Sequence, residues 1–334
     1  MSGRKAAVLG SPIEHSMSPQ LHLAAYRALG LFDWTYERIE CSADELPRLV
    51  SNFGREWAGV SVTMPGKFAA LRFADDRSER AQLVGSANTL LHTRHGWRAD
   101  NTDVDGVAGA LGPVHGDVVV LGAGGTARAA VVAVAGLGAG KVTVVARDPA
   151  KAQPLVELAE VVGVAGRWRA FDDEKLADEV AGAGAVVSTI PADAAAGYVA
   201  ALRHAPLLLD SIYDPWPTPL AAAVAETGGR VVDGLQMLLH QAFAQVEQFT
   251  GRPAPREAMA AASWLSSRLS PLVNDPSPTG RLSATTSTTP PSVSPSFFAA
   301  SISSIMDCSA CSSNARTGLV SIASRSAGCG GGPS

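Results

Sequence analysis

Apolar residues follow two rhythms along this chain. From about 106 to 233, nearly unbroken apolar runs ("DVVVLGAG", "KVTVVA", "AGAVVSTI", "PLLLDSIY") alternate with Ala- and Val-rich stretches that begin near 126 and 149. Strands that are apolar at every position fit a sheet covered on both faces. Their alternation with helical stretches predicts a doubly wound α/β unit with a parallel sheet. Residues 1–105 instead mix strand-like runs ("KAAVLG", "WAGVSVTM") with polar helical segments. After 233 the period lengthens: Leu235, Leu238, Leu239, Ala242, Phe243 and Val246 recur at helical spacing up to Gly251. That pattern predicts an amphipathic helix stopped by a glycine.

The organisation expected from this is two α/β domains. One spans 1–105 and is completed by helices at 234–272; the other is a Rossmann-like unit over 106–233. Past about 275 the periodicity ends. The stretch "NDPSPTGRLSATTSTTPPSVSPS" is dominated by Ser, Thr and Pro. Such a composition buries too little apolar surface to offset the entropy of ordering, so 275–334 is expected to be a disordered tail.

Composition then removes several function classes. The 334 residues suffice for two domains and a large core. With 46% hydrophobic residues and a net charge of −4, the chain has no basic excess with which to neutralise a nucleic-acid backbone. The N-terminal "MSGRKAAVLG" is too short in apolar residues for a signal peptide. The longest uncharged run, between Arg128 and Lys141, is too short and too rich in glycine to span a bilayer. A cytoplasmic protein without nucleic-acid or membrane partners is expected. Of the four cysteines, Cys41 alone lies outside the tail, so no disulfide framework is implied. The lone "CSAC" at 308–311 lacks the ordered partners that a metal site requires, and no metal is expected.

The densest chemical signal is "GAGGTA" at 122–127, set between a strand and a helix. Gly122 permits the tight turn, and Gly124 lets backbone N–H groups approach a pyrophosphate. Gly125 and Ala127 allow the helix to pack closely on the sheet, with its N-terminus facing the phosphate. By itself the cluster also fits a plain strand-to-helix turn. The strand–loop–helix–strand frame is what makes it a dinucleotide signature. The following strand ends in "ARDPAK", where Arg147 and Lys151 form a basic pair suited to a 2′-phosphate, hence NADP. Asp148 stands where NAD-binding units place a ribose ligand. However, Asp followed by Pro149 is also the sequence of a helix N-cap.

Four further stretches carry polar groups at strand ends. "GSPIEHSMSP" holds Ser16 and Ser18, hydroxyls that can grip a carboxylate or a polyol; alternatively, Ser18 caps a helix begun by Pro19. "VSVTMPGK" places Lys67 beyond a buried strand, as a proton donor, an oxyanion stabiliser or simply a surface lysine. "GSANTL" and "ADNTDVDG" each carry Asn-Thr, and the second adds Asp103 and Asp105. A carboxylate beside Lys67 would keep it charged and positioned.

Taken together, "GSPIEHSMSPQLH", "VSVTMPGK", "GSANTL", "DNTDVDG", "GAGGTARA", "YDPWPTPL" and "DGLQMLLHQA" resemble the shikimate dehydrogenase family over about residues 5–265, in order and in spacing. The resemblance implies reversible reduction of 3-dehydroshikimate to shikimate with NADPH. It implies Lys67 and Asp103 as the catalytic pair. Ser16, Ser18, Thr63, Asn88 and Gln241 would bind substrate, with Tyr213 nearby. Gly122, Ala123, Gly124, Gly125 and Thr126 would hold the pyrophosphate, and Arg147 the 2′-phosphate. Gly234 and Met237 would lie near the nicotinamide, and Glu79 on the cofactor side.

The sequence departs from the family pattern in two places. Ala146-Arg147-Asp148 stands where Asn-Arg-Thr is common, so the outer two positions lack the side chains the family commonly offers to adenosine. Leu23 stands where Asn often follows the histidine, and His22 itself reads as structural. Alternatives are a quinate/shikimate dehydrogenase and a non-catalytic dinucleotide sensor of the same fold. A monomer or homodimer is expected.

Overall fold

The computed structural model describes residues 3–269, so the 275–334 segment lies outside the described residues. Two six-stranded sheets organise the chain. The first contains β1 (Lys5–Gly10), β2 (Thr35–Glu40), β3 (Trp57–Val62), β4 (Asp76–Arg77), β5 (Thr89–Thr93) and β6 (Gly96–Asp100), in the order β2-β1-β3-β5-β6-β4. Its left half is parallel, whereas β5 runs antiparallel to both β3 and β6. β3 is buried at all its positions, as a strand at the centre of a covered sheet must be, and its one hydroxyl, Ser61, is hydrogen-bonded to Tyr36 and Gln245.

One face of this sheet is covered by helices Ser18–Ala28, Gly234–Thr250 and Arg256–Leu269. Leu21, Tyr26, Tyr36, Phe243 and Val246 fill the layer between. The Gly234–Thr250 helix begins on Asp233, whose carboxylate accepts the Gln236 N–H at 3.0 Å, and ends at Gly251 with φ +68°. Both ends thus carry a cap that satisfies otherwise orphaned backbone groups.

The second sheet contains β7 (Val118–Leu121), β8 (Lys141–Val145), β9 (Ala165–Arg169), β10 (Ala185–Ser188), β11 (Leu207–Asp210) and β12 (Arg230–Val232), in the order β12-β11-β10-β7-β8-β9. Every pairing in it is parallel. Counted from β7, this is the doubly wound order, and the winding reverses between β7 and β10. Helices Gly125–Gly136 and Pro149–Val161 pack on one face against Val118, Val120 and Val144. The other face is closed by Val119, Leu121, Val186, Leu208 and Leu220. The α/β class and the parallel Rossmann-like sheet are therefore as the strand–helix alternation predicts.

The hairpin of β5 and β6 is the local feature that builds the site. Its two-residue turn, Arg94 and His95, leads into Gly96 with φ +111°, and Thr89 pairs with Asp100. That register brings the residues just before β5 beside those just after β6. Among the described residues no helix is long and apolar enough to cross a membrane.

Candidate active site

Lys67 and Asp103 are each the first residue of a helix that follows a strand of the first sheet. Lys67 Nζ donates to Asp103 Oδ2 at 2.6 Å and to Thr126 Oγ1 at 2.8 Å. Their side chains are 13% and 7% exposed, so this charge-assisted bond lies mostly out of water. Asp103 gains a further bond because its own N–H reaches Asn101 Oδ1 at 3.1 Å.

Asn88, just before β5, is the hub beside this pair. Its Nδ2 is shared among Asp103 Oδ1 (2.9 Å), Thr102 Oγ1 (3.0 Å) and Gln241 Oε1 (3.2 Å). Its Oδ1 accepts the Thr102 N–H and the Thr89 hydroxyl, both at 2.8 Å. Gln241 arrives from the Gly234–Thr250 helix, four residues before the fully buried Gln245. Gln245 in turn holds Thr89 Oγ1 at 2.9 Å and the Asn88 carbonyl at 3.1 Å, and it accepts from Ser61 at 2.7 Å. Gln245, Asn101 and Thr102 are residues that sequence reasoning does not assign. For Gln245 a signal exists: a second glutamine at i+4 on the same helix face.

Ser16 and Tyr213 meet in a second polar cluster, to which Ser18 is joined through its backbone N–H on Ser16. Tyr213 sits in the loop after β11, close to the Ser16 hydroxyl and the Met17 backbone, and burial pushes its phenol up. His15 Nδ1 lies 3.2 Å from Asp214 Oδ2 beside it. The Ser18–Ala28 helix has Met17 at its N-cap position, with no side-chain cap. Ser18 therefore does not cap; it is inside the first turn, buried next to Tyr36. Ser16 accepts the Ser18 N–H instead, at a long 3.4 Å. Thr63 follows β3, and its backbone N–H reaches Leu9 O at 2.8 Å, which places it at the carboxyl ends of the parallel strands β1 and β3. In open α/β sheets this is the edge at which ligands bind.

The glycine loop leaves β7 at the point where the winding reverses. Gly122 has φ +107°, and a Cβ there would come within 2.6 Å of Thr189 Oγ1, so glycine is required on two counts. Above Gly124 there is open space: a Cβ would meet nothing within 4 Å. The Gly125–Gly136 helix starts on Gly124 with no side-chain cap, so its first N–H groups are left for an anion. Ala123 and Thr126 are partly exposed along the same turn. Arg147 and Lys151 are both exposed at the start of the Pro149–Val161 helix. The donor set and the uncapped turn fit the phosphates of a dinucleotide.

Asp148 has a structural task. Its carboxylate accepts the Ala150 N–H at 2.9 Å and caps the helix whose first residue is Pro149. Next to it, Trp168 Nε1 donates to the Ala146 carbonyl at 3.0 Å, an anchor that no motif in the sequence announces. Gly234 is buried where a Cβ would collide with the Ser211 carbonyl, and its N–H reaches Ile212 O at 3.2 Å. Met237 lies in the core with Val107, Val120 and Ala127. Glu79 is set apart: it is exposed on the first turn of the Glu79–Val84 helix. The opposite end of that helix is the one that meets the second sheet's layer, where Arg128 Nε donates to Val84 O. His22 is fully buried and stacked 4.1 Å from Tyr36, and burial lowers its pKa to about 3. It is a neutral core residue, in line with its structural reading.

The model of the shikimate dehydrogenase substrate binding domain matches residues 8–90, and that of the shikimate 5'-dehydrogenase C-terminal domain matches residues 234–262. The shikimate dehydrogenase (NADP(+)) of Microcystis aeruginosa is 32% identical over 267 residues, which cover 75% of this chain and 93% of that relative. The chain belongs to the shikimate dehydrogenase family. Among solved structures, the shikimate dehydrogenase of Mycobacterium tuberculosis is 70% identical, with a TM-score of 0.76 over 78% of this chain and 99% of its own. The shikimate 5-dehydrogenase of Thermus thermophilus, solved in complex with NADP(H) and shikimate, is 29% identical, with a TM-score of 0.67 over 79% and 99% of the two chains.

Proposed function

We propose that this chain is an NADP-dependent shikimate dehydrogenase that interconverts 3-dehydroshikimate and shikimate in the cytoplasm. Residues 1–105 with the helices Gly234–Thr250 and Arg256–Leu269 form its substrate-binding part, and residues 106–233 its cofactor-binding part. The observation that carries this reading is the Lys67–Asp103 pair at 2.6 Å, set directly against the glycine loop through Thr126 at 2.8 Å.

NADP(H), when bound, would supply the hydride chemistry at the ketone carbon in either direction. Lys67 meets the charge that grows on the substrate oxygen, stabilises it and delivers the proton. Asp103 holds the ammonium at that point through Oδ2, while Asn88 fixes the carboxylate through Oδ1. Asn88 and Gln241 face the same place from two elements and orient substrate hydroxyls. Ser16, Ser18 and Thr63, with Tyr213 beside them, grip the hydroxyls and carboxylate of a small polar anion, which needs several directional partners. Gly122–Thr126 receive the pyrophosphate, and Arg147 with Lys151 the 2′-phosphate. Gly234 and Met237 would border the nicotinamide. All of these residues come from one chain, so a monomer or a homodimer serves equally.

A spectrophotometric assay with NADP+ and NAD+ against shikimate and quinate tests the reading. Formation of NADPH with shikimate is expected. Intact NADPH binding without turnover of either acid would make the chain a dinucleotide-sensing protein instead.

A further inference from the structure

Six residues close a hydrogen-bonded ring around the catalytic pair. On one arm, Lys67 Nζ bridges Thr126 Oγ1 (2.8 Å) and Asp103 Oδ2 (2.6 Å). On the other, the Asp103 N–H reaches Asn101 Oδ1 at 3.1 Å, Asn101 Nδ2 reaches Ser86 Oγ at 3.2 Å, and Ser86 Oγ reaches the Gly125 carbonyl at 3.3 Å. Gly125 and Thr126 are consecutive, so both arms end on the glycine loop.

We infer that Thr126 is a positioning residue for Lys67: its hydroxyl, carried by the cofactor loop, fixes the direction in which the lysine presents its remaining N–H. This rests on the reading of Lys67 as the proton donor. An ammonium has three hydrogens and no acceptor. Asp103 takes one and Thr126 another, and the two acceptors approach from the first turns of two different helices. With Asp103 alone, the end of a four-carbon stem could swivel about a single bond. With both, the third hydrogen points one way. The stem is also confined, because a Cβ on Gly125 would lie 3.3 Å from Lys67 Cδ and 3.4 Å from its Cβ. The Thr126 hydroxyl accepts from Lys67 and keeps its own hydrogen to donate elsewhere. The loop that receives the cofactor phosphates therefore also aims the proton donor.

The test compares Thr126→Val, which keeps the shape but removes the hydroxyl, with Thr126→Ser, which keeps the hydroxyl. Three quantities are measured: kcat for shikimate oxidation, the NADPH Kd by fluorescence titration without substrate, and the 1H–15Nζ resonance of the Lys67 ammonium, assigned by its loss in Lys67→Ala. For Thr126→Val we expect kcat to fall about tenfold, the scale of losing one charge-assisted hydrogen bond. The NADPH Kd should rise less than kcat falls, because the backbone N–H groups of the uncapped turn, which a valine keeps, are what receive the pyrophosphate, and the lysine resonance should broaden as solvent exchange quickens. Thr126→Ser should restore both kcat and the resonance. A Thr126→Val enzyme with unchanged kcat and an unchanged lysine resonance would overturn the inference. So would a Kd that rises in step with the loss of kcat, which would make Thr126 a phosphate ligand only, or a serine variant that fails to rescue. A wild-type protein that turns over no shikimate would sink the underlying reading instead, and the lysine resonance would still report whether Thr126 holds Lys67.

Discussion

Lys67 Nζ stands 2.6 Å from Asp103 Oδ2, although the two residues are 36 positions apart and belong to different helices. Both helices follow a strand of the first sheet after a short loop, and the antiparallel pairings of β5 with β3 and β6 bring the two N-termini together. The consequence is testable on the lysine itself. Lys67→Ala should lower kcat by about 10²-fold or more, a usual scale for losing acid–base or oxyanion help. The Kd values for shikimate and NADPH should change little. A kcat near wild type would remove Lys67 from the chemistry.

Asn88 is expected to matter for stability as well as for rate. Its side chain is buried and meets Asp103, Thr102, Gln241 and Thr89 at once. Asn88→Ala would leave the Thr102 N–H and the Asp103 and Gln241 oxygens short of a partner. Leaving buried polar groups unpaired costs about 1–3 kcal/mol, more where a charge is involved. The urea midpoint should fall by a matching amount with an unchanged m-value, and kcat should fall with it because Asp103 loses its second anchor. A stable, fully active Asn88→Ala protein would show that the hub is dispensable.

Much of this architecture is legible in the sequence because it rests on local rules. The runs at 118–121, 141–145, 185–188 and 207–210 are strands whose residues are buried except at the half-buried first positions Lys141 and Leu207. The helix from Gly234 carries its stop signal in Gly251, and Asp148 followed by Pro149 reads as a cap and is one. What escapes such rules depends on partners distant in sequence. Nothing in "LLHTRHGW" strongly marks a hairpin apart from Gly96, so neither the antiparallel β5–β6 pair nor the Asn88–Asp103 contact it creates can be read there. The Lys67–Thr126 bond joins residues 59 positions apart, one on each sheet's layer. Ser18 reads as a cap because Pro19 follows it, but the helix takes in Ser18 itself and leaves Met17 at the boundary. Trp168 belongs to no motif, and only the register of β8 with β9 brings it near Ala146.

His22 gives a pH dependence whose sign can be worked out. Burial lowers its folded-state pKa to about 3, against an ordinary value of 6.5. Between these values the unfolded chain binds a proton that the folded chain does not, so unfolding becomes easier as pH falls. The stability is fully present above about pH 6.5 and drains towards pH 3, by up to about 1.4 kcal/mol per pH unit for this one group. His22→Phe keeps a ring against Tyr36 and removes the titration. Each protein's loss of stability between pH 7.5 and pH 5 is measured by urea denaturation. The wild type should lose about 2 kcal/mol more than the variant. Equal losses would mean that His22 is not held neutral by the fold.

Arg147 and Asp148 are neighbours with opposite charges and, on this structure, unrelated tasks. Arg147 is exposed at the end of β8 and free to meet a 2′-phosphate, whereas the Asp148 carboxylate is occupied by the Ala150 N–H at 2.9 Å. Arg147→Ala should therefore raise the KM for NADPH while leaving that for NADH nearly unchanged. A charge-assisted contact of this kind is worth about 1.5–3 kcal/mol, or roughly ten- to a hundredfold. Asp148→Asn, which still accepts a hydrogen bond and still caps, should leave the ratio of NADPH to NADH efficiency where it was. Asp148→Ala should keep that ratio too, but destabilise the protein by about 1 kcal/mol through the lost cap. If Asp148→Asn instead strengthened NADPH binding, the carboxylate would be acting on the ribose phosphate by repulsion. Its place at the helix start would then be secondary to its effect on cofactor choice.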